Sequence, residues 1–209
     1  MAVKDYLIDC EMWRKAVDYH GHICPGLAIG YRVANCAIKA LEAVRAEDEE
    51  LVAVVENDSC SVDAISVLTG CTLGKGNLLY RDYGKQAYTF ICRHSGSAVR
   101  VAVLDGEMTN SGSEEMRSLR RKVLGGTASP EERERYYSCQ LARTQKILLC
   151  PEDSLLSVKK IRAEVPEKAR LFDSYTCASC GEMVMEPKAR LKEGKIVCIP
   201  CAVNYTRGW

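Results

Sequence analysis

The sequence predicts an α+β fold in which helices flank a mixed or antiparallel sheet, followed by a small cysteine-rich module at the C-terminus. Three observations favour this class. The β-branched run Leu51–Glu56 has the length and composition of a buried strand. Two further apolar runs, Gln86–Arg93 and Ala98–Leu104, are joined by the short Ser95–Ser97 connection, which is typical of an antiparallel hairpin. Helical patterns precede and follow these strands.

Capping residues and periodicity predict five helices. Pro25 suits a first helical position, and Gly70 suits the end of the third helix. Ser111 stands three residues before Glu114, which is the spacing of a capping box, and Ser129 begins a second capping box. The predicted helices run from about Leu7 to Asp18, from Pro25 to about Val44, from Val62 to Leu68, from about Ser111 and from Ser129. A last strand is predicted over residues 157–165.

Length and charge limit the classes of function. A chain of 209 residues supports one sizeable core and one small appendage, which we place at residues 1–165 and 166–209. The net charge of +1 gives no reason to expect nucleic acid, an anionic membrane surface or an acidic partner. No apolar stretch is long enough to span a bilayer, and Asp5, Asp9 and Glu11 interrupt any signal-peptide pattern. We therefore expect an intracellular, cytoplasmic protein without a membrane partner.

Twelve cysteines are many for a chain without an export signal. In a reducing compartment, metal binding or catalysis is favoured over disulfides. Some of the thiols fit apolar patterns, where cysteine acts as a small hydrophobic residue. We interpret five cysteines in this way: Cys10, Cys36, Cys92, Cys139 and Cys150.

The last four cysteines form two CxxC pairs separated by residues 181–197, a spacing typical of structural zinc. Gly181 permits a tight turn after the first pair, and residues 192–195 predict a hairpin turn. With a short helix predicted over residues 202–205, this order of elements resembles a treble-clef zinc finger. A redox CxxC pair or an iron–sulfur cluster is the competing interpretation. The predicted Zn²⁺ ligands of the C-terminal zinc finger are Cys177, Cys180, Cys198 and Cys201.

A second group of ligand-type residues lies near the N-terminus. His20, His22 and Cys24 occur within five residues, on a predicted loop that leads into a helix. We expect the positive end of that helix to favour the Cys24 thiolate, which suits either metal binding or nucleophilic chemistry. Cys60 follows a predicted strand and begins a predicted helix, so it is expected at a helix N-terminus, as Cys24 is. Asp63 is interpreted either as a capping carboxylate or as a general base or orienting group beside a metal.

The glycine-rich loop Thr69–Asn77 follows the third predicted helix. It lacks the lysine and hydroxyl pair of a phosphate-binding P-loop, so it forms either a plain turn or a close approach to a ligand. Cys71 and Asn77 are the predicted cofactor contacts in this loop, and a buried structural thiol is the alternative for Cys71. His94 is interpreted as structural.

Three segments carry motifs that resemble the FmdE family, the E-type subunits of formylmethanofuran dehydrogenase. They are His20–Gly26, Asn57–Ile65, and Thr69–Thr72 with Gly74, Gly76 and Asn77. The resemblance covers roughly the first 150 to 165 residues, and some members of the family carry a zinc-finger tail. It implies an α+β core domain that forms a homodimer, with a pocket around the His/Cys motif.

The resemblance also implies association with the larger molybdenum or tungsten oxidoreductases that reduce carbon dioxide onto methanofuran. The sequence contains no molybdopterin-binding or ferredoxin-type pattern, so this chain alone is not their catalytic subunit. Two hypotheses follow. In one, an enzyme or redox-linked accessory subunit acts on a one-carbon or pterin-type substrate through His20, His22, Cys24, Cys60 and Asp63, with a second metal held by His22, Cys24 and Cys60. In the other, the protein is a non-catalytic metal or cofactor carrier, or a zinc-finger adaptor for a larger oxidoreductase.

Overall fold

The computed structural model of the protein describes residues 7–106 and 114–202. Within these ranges the chain forms six α-helices and nine strands. The helices are α1 (Glu11–His20), α2 (Pro25–Leu41), α3 (Ser61–Thr69), α4 (Glu114–Leu124), α5 (Pro130–Leu149) and α6 (Glu152–Leu155). The strands are β1 (Leu51–Val55), β2 (Leu78–Tyr80), β3 (Ala87–Cys92), β4 (Ala98–Val103), β5 (Leu156–Ile161), β6 (Ser174–Thr176), β7 (Met183–Met185), β8 (Arg190–Lys192) and β9 (Lys195–Val197).

Five strands form a single sheet in the order β2-β1-β3-β4-β5. Strand β1 pairs in parallel with β2 and antiparallel with β3, and the remaining neighbours are antiparallel. The predicted α+β fold with a mixed sheet is therefore confirmed, as is the antiparallel pairing of β3 with β4.

The two faces of the sheet have different surroundings, because successive residues of a strand point to opposite sides. Ala53, Phe90 and Val99 belong to the main core, which α1, α2, α3 and α5 share. Val52 and Ile91 point the other way, into a small separate cluster. The helices thus cover one face of the sheet, and the beginnings of α2 and α3 lie on that side.

Helices α2 and α3 pack closely at Gly30. A β-carbon added to Gly30 would lie 2.1 Å from the Ser61 carbonyl oxygen, so only glycine allows this approach. One turn earlier in α2, a β-carbon added to Gly26 would lie 3.1 Å from the β-carbon of Cys60. The close packing therefore brings the first turn of α2 against the start of α3.

Several predicted boundaries are wrong for local reasons. Helix α1 begins at Glu11 rather than Leu7, because Leu7 has a φ of 66° and Cys10 is extended. Helix α2 ends before Val44, since Glu42 adopts a left-handed conformation. Strand β5 stops at Ile161, where its pairing with the first residue of β4 ends. Strand β2 was not predicted, because three residues carry little periodicity.

Two sequence predictions lie outside the described residues, the Ser111 cap and residues 203–205 of the short C-terminal helix. Among the described helices, none combines the length and the apolar character needed to cross a membrane.

The chain divides into two compact units, Met1–Lys168 and Ala169–Trp209. The second unit contains two short hairpins, β6–β7 and β8–β9. Glu193 and Gly194 both have positive φ values between the paired Lys192 and Lys195, so the predicted hairpin turn is confirmed. A 3₁₀ turn covers Ile199–Cys201, and Ala202, the first residue of the predicted C-terminal helix, is extended rather than helical.

Candidate metal centre

The N-terminal cluster, formed by His20, His22, Cys24 and Cys60, lies where α1 ends and α2 begins. His20 is the last residue of α1, so the prediction that both histidines lie on a loop is wrong for His20. Gly21 follows with a φ of 89°, and its N–H donates to the Val17 carbonyl at 2.8 Å. The chain then turns and reaches Cys24, which caps α2 and whose sulfur accepts from the Leu27 N–H at 3.3 Å.

Four side chains converge at this point although they come from two separate parts of the sequence, residues 20–24 and Cys60. One ligand atom from each of His20, His22, Cys24 and Cys60 lies within 4.8 Å of the others. Cys24 and Cys60 therefore face a shared position, within reach of one ion. The sequence prediction assigned the metal to His22, Cys24 and Cys60, with His20 among the ligand candidates. The structure places all four within reach of one position.

Asp63 orients His20. Its Oδ2 atom lies 2.7 Å from His20 Nδ1, while His20 Nε2 lies 3.7 Å from the Cys24 sulfur. A carboxylate bound to one ring nitrogen fixes the tautomer and leaves the other nitrogen for a metal. Of the two interpretations left open for Asp63, this geometry favours the orienting role over helix capping.

His22 is the exposed member of the cluster. Its ring centroid lies 4.3 Å from that of His20. Partial burial lowers the pKa of His22, and the nearby His20 lowers it further. Both effects favour the neutral imidazole, which is the form that binds a metal.

The structure does not support the expected activation of Cys24 by its helix. Burial raises the pKa of Cys24 to about 11 and outweighs the opposing hydrogen bond from the Leu27 N–H. Cys60 also differs from the predicted setting, since its backbone is helical and its side chain makes no capping hydrogen bond. The two thiols share a site but do not share a helix-capping geometry.

A cavity of about 1000 Å³ adjoins the cluster. His22, Cys24 and Cys60 form part of its wall, and residues of α4 and α5 form the opposite part. The sequence did not predict that α4 and α5 line a cavity, because the residue pattern of these helices does not differ from that of an ordinary helix surface. The missed residues include Arg120, Tyr136, Tyr137, Gln140 and Arg143.

The structure does not bring Cys71 or Asn77 to this cavity. Cys71 is fully buried, and its thiol donates to the Leu51 carbonyl at 3.3 Å. Asn77 accepts from the Thr72 N–H and donates to two carbonyls, those of Asp48 and Leu51, each at 2.9 Å. Both side chains are used in holding the loop, so their predicted cofactor contacts gain no support. His94 is exposed in the β3–β4 turn.

The second cluster lies in the C-terminal unit. One sulfur from each of Cys177, Cys180, Cys198 and Cys201 lies within 4.8 Å of the others. Backbone N–H groups of Cys180 and Cys198 lower the pKa of Cys177 to about 6, whereas contact with the Cys198 and Cys180 side chains raises that of Cys201 to about 12. A thiolate is thus favoured at Cys177 before any metal binds.

Together, the fold and the two clusters define a metal-binding α+β protein with a C-terminal four-cysteine zinc finger. Residues 19–157 match the family described as FmdE, Molybdenum formylmethanofuran dehydrogenase operon, and the chain belongs to this family. Residues 170–207 match the prokaryotic dksA/traR C4-type zinc finger. The predicted membership and the predicted finger are both confirmed.

Two further comparisons identify a relative in sequence and a shared fold. The chain is 34% identical over 196 residues to a probable S-adenosyl-L-methionine-binding protein of Archaeoglobus fulgidus. That match covers 91% of this chain and 52% of the relative, so the chain spans about half the length of that protein. The fold matches the crystal structure of a tungsten formylmethanofuran dehydrogenase FmdE-like protein from Syntrophus aciditrophicus, with a TM-score of 0.54 and 22% identity, over 90% of this chain and 88% of the other.

Proposed function

We propose that the N-terminal cluster holds a transition metal, and that the protein acts in one-carbon or redox metabolism. In this proposal it is an accessory subunit or standalone relative of the molybdenum or tungsten formylmethanofuran dehydrogenases, and it works as a homodimer inside the cell. The observation that carries the proposal is the convergence of two imidazoles and two thiols within 4.8 Å.

The donor set supports a metal rather than a free catalytic thiol. Two nitrogen and two sulfur donors suit tetrahedral zinc or iron bound by thiolates. The Asp63 carboxylate on His20 is the partner that metal-bound histidines commonly have. Burial also keeps the Cys24 thiol protonated until a cation displaces the proton, which argues against a permanently reactive nucleophile.

The position of the cluster supports a role beyond structure. A structural zinc site is closed by four protein ligands, whereas a catalytic site exposes the metal to a substrate. Here the cluster forms part of the wall of a large cavity, and His22 is exposed. If His22 moves aside, three protein ligands remain and a fourth position faces the cavity.

The exposure of His22 also supports the alternative, a non-catalytic carrier that releases its metal or cofactor to a larger oxidoreductase. A solvent-exposed ligand provides a route for exchange. Carriage predicts that a chelator removes the cluster metal quickly. It also predicts that Asp63→Asn causes no loss of activity in a partner enzyme once the metal content of the variant has been restored. Catalysis predicts the reverse: an activity that falls in the Asp63→Asn variant once its metal content has been restored.

Metal content per chain tests the proposal. We expect more than one equivalent in the purified protein, by inductively coupled plasma mass spectrometry. The Cys24→Ser, Cys60→Ser double variant should lose only the excess, and a Cys198→Ser, Cys201→Ser variant should lose only the finger metal. Cys139→Ser, an exposed thiol outside both clusters, is the matched control. One zinc per chain, unchanged in the Cys24/Cys60 variant, would overturn the proposal.

A further inference from the structure

The large cavity is much wider than a metal ion needs. Its volume of about 1000 Å³ lies at the upper end of the range for sites that enclose a small organic molecule. The N-terminal cluster occupies one side, and helices α4 and α5 supply the other. The side chains that α4 and α5 contribute therefore indicate which class of molecule the cavity binds beside the proposed metal site.

Two arginines line the helical side, Arg120 from α4 and Arg143 from α5. Arg143 is half-buried, and its pKa is lowered first by that burial and then by the positive charge of Arg120. Two guanidinium groups from different helices thus act on each other within one cavity. Among the described residues that line the cavity, Asp105 is the one carboxylate, so the two guanidinium groups outnumber the carboxylates in that set.

Aromatic and apolar groups accompany the arginines. Tyr136 and Tyr137 of α5 line the same cavity, and their rings meet edge to face with centroids 5.5 Å apart. Val123 and Leu124 of α4 add apolar surface. Arginine recognises carboxylate and phosphate through paired hydrogen bonds, and aromatic faces stack on planar rings.

We propose that this cavity binds a small molecule with a planar ring and an anionic carboxylate or phosphate group, the anion held by Arg120 and Arg143 and the ring against Tyr136 and Tyr137. The inference deepens the proposed function and rests on it in one respect, that the bound molecule lies beside the metal. The arginine end of the site is formed without the cluster, so anion binding and metal binding are measured separately.

The test is calorimetric titration of the full chain with phenyl phosphate and with benzoate, and with inorganic phosphate for comparison. Because an aromatic contact adds modest affinity, we expect phenyl phosphate to bind about threefold to tenfold more tightly than inorganic phosphate. Tighter binding of phenyl phosphate than of benzoate identifies a phosphate ester as the ligand class, and the reverse order identifies a carboxylate. Either order supports the proposal.

Arginine variants locate the binding site. Loss of a charged hydrogen bond predicts at least about a tenfold weaker affinity in the Arg120→Gln, Arg143→Gln variant. Arg117→Gln with Arg133→Gln is the matched control, since these residues lie on the same two helices but do not line the cavity. Arg120 is exposed, so the single Arg120→Gln variant keeps the test valid if the double variant does not fold.

The experiments distinguish a failure of the proposed anion site from a failure of the proposed metal site. Anion binding that persists in the Cys24→Ser, Cys60→Ser variant supports the arginine site even where the cluster holds no metal. A protein that contains the cluster metal but binds neither aromatic anion would overturn the inference and leave the proposed function standing. Equal affinity in the Arg120/Arg143 variant and in the control pair would also overturn it.

Discussion

Asp63 Oδ2 lies 2.7 Å from Nδ1 of His20, although the two residues are 43 positions apart in the sequence. The contact joins the end of α1 to the first turn of α3. It points the other ring nitrogen of His20 toward the Cys24 sulfur, 3.7 Å away. The carboxylate therefore helps to shape the candidate metal centre without facing the metal position itself.

Replacing Asp63 with Asn should weaken metal binding at the N-terminal cluster by about 10- to 100-fold, because the lost carboxylate no longer orients His20 or raises its basicity. Competition with a metal chelator measures this affinity, in protein whose finger metal is quantified separately. Asp58→Asn, an exposed carboxylate in the loop before α3, is the control and should bind normally. Equal affinity in both variants would show that Asp63 does not act on the metal.

Gly30 allows α2 and α3 to touch, and its replacement should destabilise the core unit. In Gly30→Ala the new methyl group would meet the Ser61 backbone at 2.1 Å, which no side-chain movement can relieve. We expect a loss of about 3 kcal/mol or more in the free energy of unfolding, at the upper end of overpacking effects. Chemical denaturation measures it.

Gly74→Ala is the matched control, because no atom lies within 4 Å of the added β-carbon. Its free energy of unfolding should stay within about 0.5 kcal/mol of the parent. A Gly30→Ala protein as stable as this control would show that the two helices are farther apart than described.

The ion pair between Glu56 and Arg100 should make stability depend on pH. Glu56 is buried at the end of β1, and the hydrogen bond from Arg100 lowers the pKa of its carboxyl. A lowered pKa stabilises the fold above the ordinary value of about 4.3, and this contribution disappears as the pH falls through the lower, folded-state pKa. Glu56→Gln should therefore cost about 1.5–3 kcal/mol at pH 7.

The cost of Glu56→Gln should shrink once the pH falls below about 4.3, since the parent carboxylate is then protonated as well. Urea unfolding at a series of pH values follows this change. Glu134→Gln, an exposed carboxylate on α5, should show little effect at any pH. A constant difference between Glu56→Gln and the parent down to about pH 2 would contradict the assigned ion pair.

The C-terminal unit should depend on zinc for its structure. Its buried apolar side chains among the described residues are Cys177, Val184 and Val197, which is too small a set to hold a fold alone. Structural zinc supplies about 10–16 kcal/mol of apparent binding energy in such modules. Cys198→Ser with Cys201→Ser should make residues 169–202 sensitive to protease while residues 7–106 stay protected. Full resistance of the unit after zinc removal would contradict this dependence.

Much of the fold was predictable because its signals are local. The capping box at Ser129, the proline at the start of α2 and the β-branched run of β1 each act within a few residues. The zinc ligands in the two CxxC pairs were equally predictable, since zinc binding requires that spacing. Strand β2 was missed because its pairing with β1 is a tertiary contact that leaves little trace in three residues.

The N-terminal cluster was only partly predictable. The sequence identified its ligand-type residues, but the roles of His20 and Asp63 depend on packing between α1 and α3. The prediction of a thiolate at Cys24 took account of the helix terminus but not of the burial that raises the pKa of this thiol. Arg120 was not predicted as a site residue, because its place in a cavity depends on how α4 and α5 fold back toward the cluster.

X-ray absorption spectroscopy of the Cys198→Ser, Cys201→Ser variant tests the central claim most directly, because the N-terminal cluster is then the remaining metal site among the described clusters. For a zinc-loaded sample, the account predicts sulfur neighbours at about 2.3 Å and nitrogen neighbours at about 2.0–2.1 Å. A variant that binds no metal, or one whose metal has only oxygen and nitrogen neighbours, would contradict it.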